Sequence, residues 1–248
     1  MTTILITGAS AGLGAEMARQ FAARGNDLAL CARRTDKLET LKAEILARHP
    51  DRRIEVRALD VTDDAAVFEV FRGFAADFGT LDRIVVNAGL GKGSPIGTGR
   101  YDANRETAMT NFVAALAQSE AAMEIFRAQG RGHFVMVSSM SAMRGMPKTM
   151  TTYAATKAGV AHLAEGLRTE LYGKPIKVTV LYPGYIESEM NDRTENKNPL
   201  LVSTEKGVRA MVTAIEKEKE SACVPPWPWA PMSTVMKHAP LPIFKRLI

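Results

Sequence analysis

The sequence is short of cysteine and histidine, the residues that most often build disulfide frameworks and metal centres. Its 248 residues include 2 cysteines and 4 histidines. Cys31 and Cys223 show neither the spacing of metal ligands nor a disulfide framework, so we expect buried thiols. The histidines do not cluster along the sequence. We therefore predict neither a metal site nor a disulfide-stapled fold.

Long hydrophobic runs and blocks of one charge are also missing. No apolar run is long enough to cross a bilayer, and the first residues lack a basic segment followed by a long apolar one. We therefore expect a cytoplasmic protein. The net charge is +5, but basic residues are scattered among acidic ones, so nucleic-acid binding is not predicted. A phosphate-rich small molecule would account equally well for a local basic cluster.

Over residues 3–89, short apolar runs typical of strands alternate with segments whose apolar residues recur at helical spacing. Such alternation implies right-handed crossovers and a parallel sheet covered by helices on both faces. Because 46% of the residues are hydrophobic, one full core is possible. We predict an α/β protein with a single domain over residues 1–248, a doubly wound parallel sheet of the Rossmann type with about seven strands. Strands are expected at residues 3–6, 27–32, 53–59, 81–86, 134–137, 176–181 and 222–224.

Three later segments have their own character. Residues 101–128 are rich in alanine and free of proline, which predicts one long helix containing Asn111. Residues 185–203 include a polar stretch and form a candidate substrate lid. Residues 225–248 form a C-terminal tail that holds both tryptophans. The tail could close the substrate pocket, pack on a neighbouring subunit or, as the least favoured option, touch a membrane.

A glycine-rich turn joins the first predicted strand to the first predicted helix. Gly8, Gly12 and Gly14 allow a tight turn, close approach to a pyrophosphate and packing of the helix against the sheet. The N-terminus of that helix offers unpaired N–H donors to phosphates. An ordinary glycine turn is the alternative, but the position between a strand and a helix favours a dinucleotide site.

Two arginines follow the second predicted strand. Arg33 and Arg34 stand where a site selective for NAD usually carries an acidic residue. Arginine suits a 2′-phosphate, because its planar donors bind phosphate oxygens and stack on adenine. We therefore favour NADP(H), with a solvated basic turn as the alternative. Asp60 and Asn87 also follow predicted strands, so they are expected at the same ligand-binding edge of the sheet.

Proton-transfer groups follow the strand predicted at residues 134–137. Ser139 comes just after this strand, and Tyr153 and Lys157 stand four residues apart at the start of a predicted helix. Residues at i and i+4 lie on one helix face, separated by a rise of about 6 Å. The phenol and the ammonium can therefore contact the same ligand. Taken alone, this spacing could equally belong to a surface helix.

Together these residues resemble the short-chain dehydrogenase/reductase family over nearly the whole chain, because its motifs occur in order. The segments similar to family motifs are Thr7-Gly-Ala-Ser-Ala-Gly-Leu-Gly14 (nucleotide loop), Asp60-Val61 (adenine contact), Asn87-Ala-Gly89 (sheet-stabilising turn) and Pro183-Gly184 (beside the nicotinamide). Asn111, Ser139, Tyr153 and Lys157 match its catalytic tetrad. The cofactor-binding residues implied by the resemblance are Gly8, Ser10, Gly12, Leu13, Gly14, Arg33, Arg34, Asp60, Val61, Asn87, Ala88, Gly89, Tyr153, Lys157, Pro183, Gly184 and Ile186.

The resemblance also implies a role for each member of the tetrad. Tyr153 would exchange a proton with the substrate oxygen, and Ser139 would donate a hydrogen bond to that oxygen. Lys157 would supply a nearby positive charge and bind the nicotinamide ribose. Asn111 would hold a water molecule in a proton relay.

The sequence departs from the family pattern at two places. The interval from Ser139 to Tyr153 is one residue longer than the commonest spacing, and Ser138 is a second hydroxyl. We assign Ser139, the second residue of the Ser-Ser pair, and expect the additional residue in the loop 148–152. Ala11 stands where some NADP-preferring members carry a basic residue, so the arginines after the second strand would set the cofactor preference largely by themselves.

The expected function is hydride transfer between NADP(H) and a carbonyl or secondary alcohol carbon. Apolar side chains expected around the nicotinamide suggest a hydrophobic ketone or alcohol, with core packing beneath the loops as the alternative. These side chains are Leu90, Met140, Met143, Met146, Tyr185 and Met190. The rival functions are an NAD(H)-linked alcohol dehydrogenase of the same fold and a non-catalytic NADP(H)-sensing or scaffold protein. A homodimer or homotetramer is the expected assembly.

Overall fold

The computed structural model describes residues 2–91, 93–187 and 200–247, except for the side chain of Leu247. In these ranges, seven parallel strands form one sheet in the order β3-β2-β1-β4-β5-β6-β7. The strands are β1 (Thr3–Thr7), β2 (Asp27–Ala32), β3 (Ile54–Ala58), β4 (Arg83–Val86), β5 (Gly132–Val137), β6 (Ile176–Pro183) and β7 (Ser221–Val224). The predicted doubly wound α/β fold is confirmed. The strand order reverses between β1 and β4, where such sheets bind ligands.

Helices connect these strands and cover both faces of the sheet. They are α1 (Gly12–Ala23), α2 (Thr35–Arg48), α3 (Asp64–Phe78), α4 (Tyr101–Ala108), α5 (Ala114–Gln129), α6 (Thr151–Glu170), α7 (Thr204–Glu216), α8 (Pro226–His238) and α9 (Leu241–Leu247). Two short 3-10 turns, Met140–Met143 and Lys148–Met150, lie between β5 and α6. Within the described ranges, no helix is long and apolar enough to cross a membrane.

The core lies on both sides of the sheet, because successive strand residues point to opposite faces. Leu5 of β1 packs with Phe71 of α3 and Phe126 of α5 on one face. Its neighbours Ile4 and Ile6 belong to the opposite cluster, which is covered by α1, α2 and α7. The sheet is therefore fixed on both faces, and its carboxyl edge is left for the site.

The long helix predicted at residues 101–128 is interrupted. Between α4 and α5 the chain forms a π-helical segment, Met109–Val113, which contains Asn111. The Asn111 side chain is engaged with the backbone of Leu90, 21 residues away. The chain is helical from Tyr101 to Gln129, as predicted, but the π-helical turn was not predicted, because helical periodicity carries no information about a contact across the fold. Single π-helical turns often occur at functional sites.

Small residues on α6 permit close packing within the chain. A Cβ built on Gly159 would lie 2.8 Å from Cε2 of Phe112, so any side chain would displace this ring. Ala154, Ala161 and Ala164 are buried. Packing of α6 against the sheet and the π-helical segment accounts for these small residues.

The C-terminal tail forms a cap consisting of α8 and α9. Trp229, Met236 and Phe244 of this cap pack with Met140 in a cluster separate from the two faces of the sheet. The cap therefore lies against the turn that follows Ser139. Most of the candidate lid at 185–203 falls outside the described residues.

The two cysteines differ in burial. Cys31 is buried, and burial raises the pKa of its thiol. Cys223 is only partly buried, so the expectation of a second buried thiol was wrong. The reason is its place on β7, the strand at the end of the sheet, which has a neighbouring strand on only one side.

Candidate active site

The glycine turn lies at the carboxyl end of β1. Gly8 and Gly12 have φ angles of 65° and 53°, in the left-handed region that favours glycine. A Cβ built on Gly14 would lie 2.4 Å from the carbonyl oxygen of Gly8, which leaves room only for glycine. Among the described side chains none caps α1 at Ala11, and residues 12–15 include no acid. The N–H groups at the start of α1 are therefore available to an anion.

The turn after β4 holds the glycine turn in place. Asn87 Nδ2 donates to the carbonyl oxygen of Thr7 at 2.9 Å. Thr7 Oγ1 accepts from the backbone N–H groups of Asn87 and Ala88, at 3.1 and 3.2 Å. A Cβ on Gly8 would lie 2.9 Å from the Ala88 Cα, so the two backbones are in close contact. The sheet-stabilising role implied for this turn agrees with these contacts.

A polar corner forms beside the glycine turn. Arg33 and Arg34 are exposed at the carboxyl end of β2, and Arg34 Nε donates to Ser10 Oγ at 3.3 Å. Asp60 Oδ1 accepts from the N–H and the hydroxyl of Thr62, at 3.0 and 2.8 Å. The backbone hydrogen bond, with smaller effects of the hydroxyl and of the charge on Arg33, lowers the pKa of Asp60. The residues expected around the adenosine thus lie together.

At other positions predicted to bind the cofactor, mainly backbone atoms would be available to a ligand. Val61 is 7% exposed and Ile186 is 2% exposed, and both side chains belong to the core. A Cβ on Gly207 would lie 2.7 Å from Ile186 Cδ1, which shows how tightly that side chain is packed. Pro183 ends β6, and Gly184 N donates to Val224 O at 3.0 Å. Leu13 is half-buried at the start of α1.

Ser139, Tyr153 and Lys157 lie close together between β5 and α6. The Ser139 side chain lies close enough to the Tyr153 hydroxyl to lower the pKa of this phenol. Lys157 Nζ donates to the carbonyl oxygen of Val137 at 3.0 Å and lies 5.9 Å from the centroid of the Tyr153 ring. Lys157 is only 6% exposed. A buried cation is therefore held beside a phenol that already contacts a hydroxyl.

The two neighbouring serines have different partners. Ser138 Oγ donates to the carbonyl oxygen of Lys157 at 2.7 Å, so it fixes the backbone of α6. Ser139 Oγ accepts from Ser141 N at 3.2 Å, and the Ser139 side chain lies close enough to Tyr153 to lower the pKa of the phenol. Ser139 is thus the serine beside the phenol. The loop expected to hold the additional residue contains Lys148, whose φ of 57° is in the left-handed region.

Asn111 anchors the backbone beside Lys157. Its Oδ1 accepts from Leu90 N at 2.7 Å, and its Nδ2 donates to Leu90 O at 2.9 Å. A Cβ on Gly89 would lie 3.2 Å from Asn111 Oδ1 and 3.4 Å from Lys157 Nζ. Both amide atoms of Asn111 are therefore engaged in positioning the Gly89–Leu90 segment.

Burial changes the acidity of both titratable groups. Burial raises the pKa of Tyr153 above its ordinary value of 10.0, although the hydrogen bond to Ser139 opposes this effect. Burial lowers the pKa of Lys157 to about 8. Near neutral pH the phenol is therefore protonated and the ammonium is mostly charged. Such a pair can donate a proton and then stabilise the phenolate that remains.

Comparison with known proteins identifies the family. The sequence profile described as short chain dehydrogenase matches residues 2–199. The chain belongs to the short-chain dehydrogenase family.

An uncharacterized oxidoreductase of Mycobacterium tuberculosis is 51% identical over 243 residues, covering 98% of this chain and 96% of the relative. Another, from Myxococcus xanthus, is 33% identical over 242 residues, covering 98% of this chain and 94% of the relative. A short-chain dehydrogenase from Sphingobium yanoikuyae, solved in complex with NADPH, has a TM-score of 0.83 and 27% identity, covering 95% of this chain and 93% of that one.

This short-chain dehydrogenase is an oxidoreductase, and its carboxyl-edge residues fit a dinucleotide. A Cβ at Gly8 or Gly14 would meet atoms of the protein itself, so glycine at these positions lets the turn pack closely against the residues that follow β4. The uncapped start of α1 suits a pyrophosphate, and the polar corner suits an adenosine.

The apolar residues expected around the nicotinamide divide into two groups. Met140 is buried, and Met143 and Met146 pack against its cluster. Tyr185 is 43% exposed, and its ring lies 5.4 Å from that of Trp229 in an edge-to-face arrangement. Met190 lies outside the described residues. The methionines between β5 and α6 thus pack against the cap, in line with the core-packing alternative, whereas Tyr185 stays accessible.

Sequence reasoning missed the residue that holds the cap against the segment between β5 and α6. Arg144 Nη1 donates to the carbonyl oxygen of Met236 at 3.2 Å and also to that of Ala239. Its guanidinium lies 4.8 Å from the centroid of the Phe244 ring. These partners are at least 92 residues away, so no local pattern could have shown the contact.

Proposed function

We propose that this short-chain dehydrogenase is an NADP(H)-dependent oxidoreductase that interconverts hydrophobic ketones and secondary alcohols. The observation that carries the proposal is the phenol of Tyr153, which lies beside the Ser139 side chain with the Lys157 ammonium 5.9 Å from the centroid of its ring. A protein that only sensed or displayed the cofactor would not need this arrangement. The sensing or scaffold alternative is therefore disfavoured.

Each residue of the proposed active site has its own role in the reaction. When bound, the nicotinamide supplies or accepts the hydride. In reduction, Tyr153 donates its phenolic proton to the carbonyl oxygen as the C–H bond forms, and Ser139 positions that oxygen with a hydrogen bond. Lys157 stabilises the phenolate left on Tyr153. Asn111 acts on the reaction by holding Gly89–Leu90 beside Lys157.

The acidity of the phenol favours reduction near neutral pH. For Tyr153 to act as a base at pH 7, its phenolate would have to be stabilised by about 3–4 kcal/mol, since each pKa unit is about 1.4 kcal/mol. Burial acts in the opposite direction, because it raises the pKa of Tyr153. The phenol is therefore better prepared to donate a proton than to accept one. Oxidation requires the positive charges of Lys157 and of the oxidised nicotinamide. Rising pH favours the phenolate, but the charge on Lys157 is lost as pH rises through its pKa of about 8.

The polar corner supports NADP(H) rather than NAD(H). Arg34 bonds to Ser10 of the glycine turn, and Arg33 lies close enough to Asp60 to affect its acidity. Two guanidinium groups thus lie beside the glycine turn, and guanidinium binds phosphate in a bidentate manner, which supports a 2′-phosphate ligand. The similar protein from Sphingobium yanoikuyae was solved with NADPH. An NAD(H)-linked alcohol dehydrogenase is the remaining alternative.

Substitution of Tyr153 by Phe tests the proposal. We expect turnover of a hydrophobic ketone, followed as NADPH consumption, to fall by about 10²–10⁴-fold because the proton donor is lost. NADPH affinity, measured by fluorescence titration, should be nearly unchanged. The matched control is Tyr172→Phe, at a residue that is 87% exposed. Substantial residual turnover in Tyr153→Phe would refute the role of this phenol, and turnover with NADH alone would favour the alternative.

A further inference from the structure

The indole of Trp229 is buried with its polar atom unpaired. Trp229 is 3% exposed, and its Nε1 has no hydrogen-bond partner among the described residues. Leaving a buried donor unpaired costs about 1–3 kcal/mol. Buried tryptophan N–H groups usually have an acceptor, so this atom indicates a missing partner.

The position of the indole connects it with the reaction centre. A Cβ built on Gly184 would lie 2.0 Å from Trp229 Cε2 and 2.1 Å from its Nε1. The N–H edge of the ring therefore lies on Gly184, next to the end of β6. Trp229 also packs with Met140, the residue that follows Ser139. It thus lies between the two segments that border the proposed reaction centre.

A second polar atom in this region also lacks a partner. Ser141 is 8% exposed, and its Oγ has no hydrogen-bond partner among the described residues. It belongs to the same 3-10 turn as Met140, against which Trp229 packs. Two such atoms on neighbouring segments point to a ligand with a polar atom in this region.

The surroundings of these polar atoms are apolar. Met236 and Phe244 of the cap are buried in the same cluster, and Met143, Met146 and Met232 pack against it. Methionine adapts its shape to a ligand because its side chain is flexible and polarisable. An apolar region with few polar groups is typical of a site that orients a hydrophobic small molecule.

We propose that Trp229 is a specificity-determining residue whose indole N–H donates a hydrogen bond to an acceptor oxygen of the substrate, apart from the reacting carbonyl. The inference rests on the proposed reductase function. It narrows the substrate class to apolar ketones or alcohols that carry a second acceptor, such as an ether, ester or further carbonyl oxygen. Ketones without that acceptor are poorer substrates, because they leave the indole N–H unpaired.

A pair of isosteric ketones tests the inference. Chroman-4-one carries a ring oxygen where α-tetralone has a CH₂ group. With NADPH, Trp229→Phe should lower the preference in kcat/KM for chroman-4-one over α-tetralone by about tenfold, the effect expected for one hydrogen bond. Trp227→Phe is the matched control, because Trp227 is 78% exposed in the same cap. An equal loss for both ketones would show a packing role only and would overturn the inference.

A spectroscopic measurement does not depend on the folding of the variant. The chain has 2 tryptophans, so an NMR spectrum of the 15N-labelled wild-type protein shows two indole N–H signals, and Trp227→Phe assigns them. With NADP⁺ bound, chroman-4-one should move the Trp229 signal, and α-tetralone should move it less. An unmoved signal, or equal shifts with both ketones, would contradict the hydrogen bond. Absence of wild-type turnover with any ketone would instead refute the proposed function.

Discussion

Two regions border the candidate site: the nucleotide side, which consists of the glycine turn and the polar corner, and the C-terminal cap. They are held by different kinds of contact. At the glycine turn, backbone meets backbone, since a Cβ on Gly14 would lie 2.4 Å from the Gly8 carbonyl oxygen. At the cap, side chains make the contacts, as when Arg144 donates to the end of α8 and Trp229 covers Gly184. Backbone contacts allow hardly any substitution, whereas side-chain contacts can be replaced one at a time.

This difference matters for the two ligands that the proposed reaction needs. The nucleotide side is shaped for a phosphate-bearing ligand through glycines and a helix N-terminus, which hold no information about the second substrate. The cap packs against the turn that follows Ser139 through adaptable methionine and aromatic side chains. A fold can therefore keep one cofactor site while the site for the other substrate changes.

The largest effect is expected from Gly14→Ala. The added Cβ would meet the Gly8 carbonyl oxygen and lie 2.8 Å from Asn87 Nδ2, so the backbone of the turn must move. Overpacking of this kind costs up to about 3 kcal/mol. We expect NADPH affinity, measured by fluorescence titration, to fall by about 100-fold or more.

The matched control for this change is Gly166→Ala in α6. Apart from neighbouring residues of the same helix, no atom of the described residues lies within 4 Å of a Cβ built there. Alanine favours helix over glycine by about 1 kcal/mol, so this variant should be unchanged or slightly more stable in thermal unfolding. Normal NADPH binding by Gly14→Ala would show that the turn is more adaptable than the backbone contacts indicate.

A smaller effect is expected from removing both arginines of the polar corner. Arg33→Ala combined with Arg34→Ala removes the donors proposed for a 2′-phosphate. NADPH affinity should fall by about 10–100-fold, because a hydrogen bond to a charged group contributes about 1.5–3 kcal/mol. NADH affinity should hardly change and is the internal control. Equal losses for the two cofactors would contradict the assignment of the phosphate site.

The same contrast explains which features could be predicted from the sequence. β2 was predicted at its observed bounds, residues 27–32, because an apolar run is a local signal. The glycine turn was found because its motif is short and continuous. The π-helical segment around Asn111 was missed, because it depends on a contact with Leu90. The cap was noted only as a tail, because its position depends on Arg144 and on a cluster of distant side chains.

The smallest effect is expected from Arg144→Gln. This variant tests most directly whether the cap and the nucleotide side act independently. The variant loses the guanidinium that donates to the end of α8 and lies over Phe244, so the cap is held less firmly. We expect KM for a hydrophobic ketone to rise about three- to tenfold, consistent with the loss of about 1 kcal/mol of hydrogen bonding, while NADPH affinity stays unchanged. Arg246→Gln, at an exposed arginine of α9, is the matched control. If Arg144→Gln weakened NADPH binding as much as ketone binding, the cap and the nucleotide side would be one coupled unit, because only a shared structure would transmit the change to both ligands.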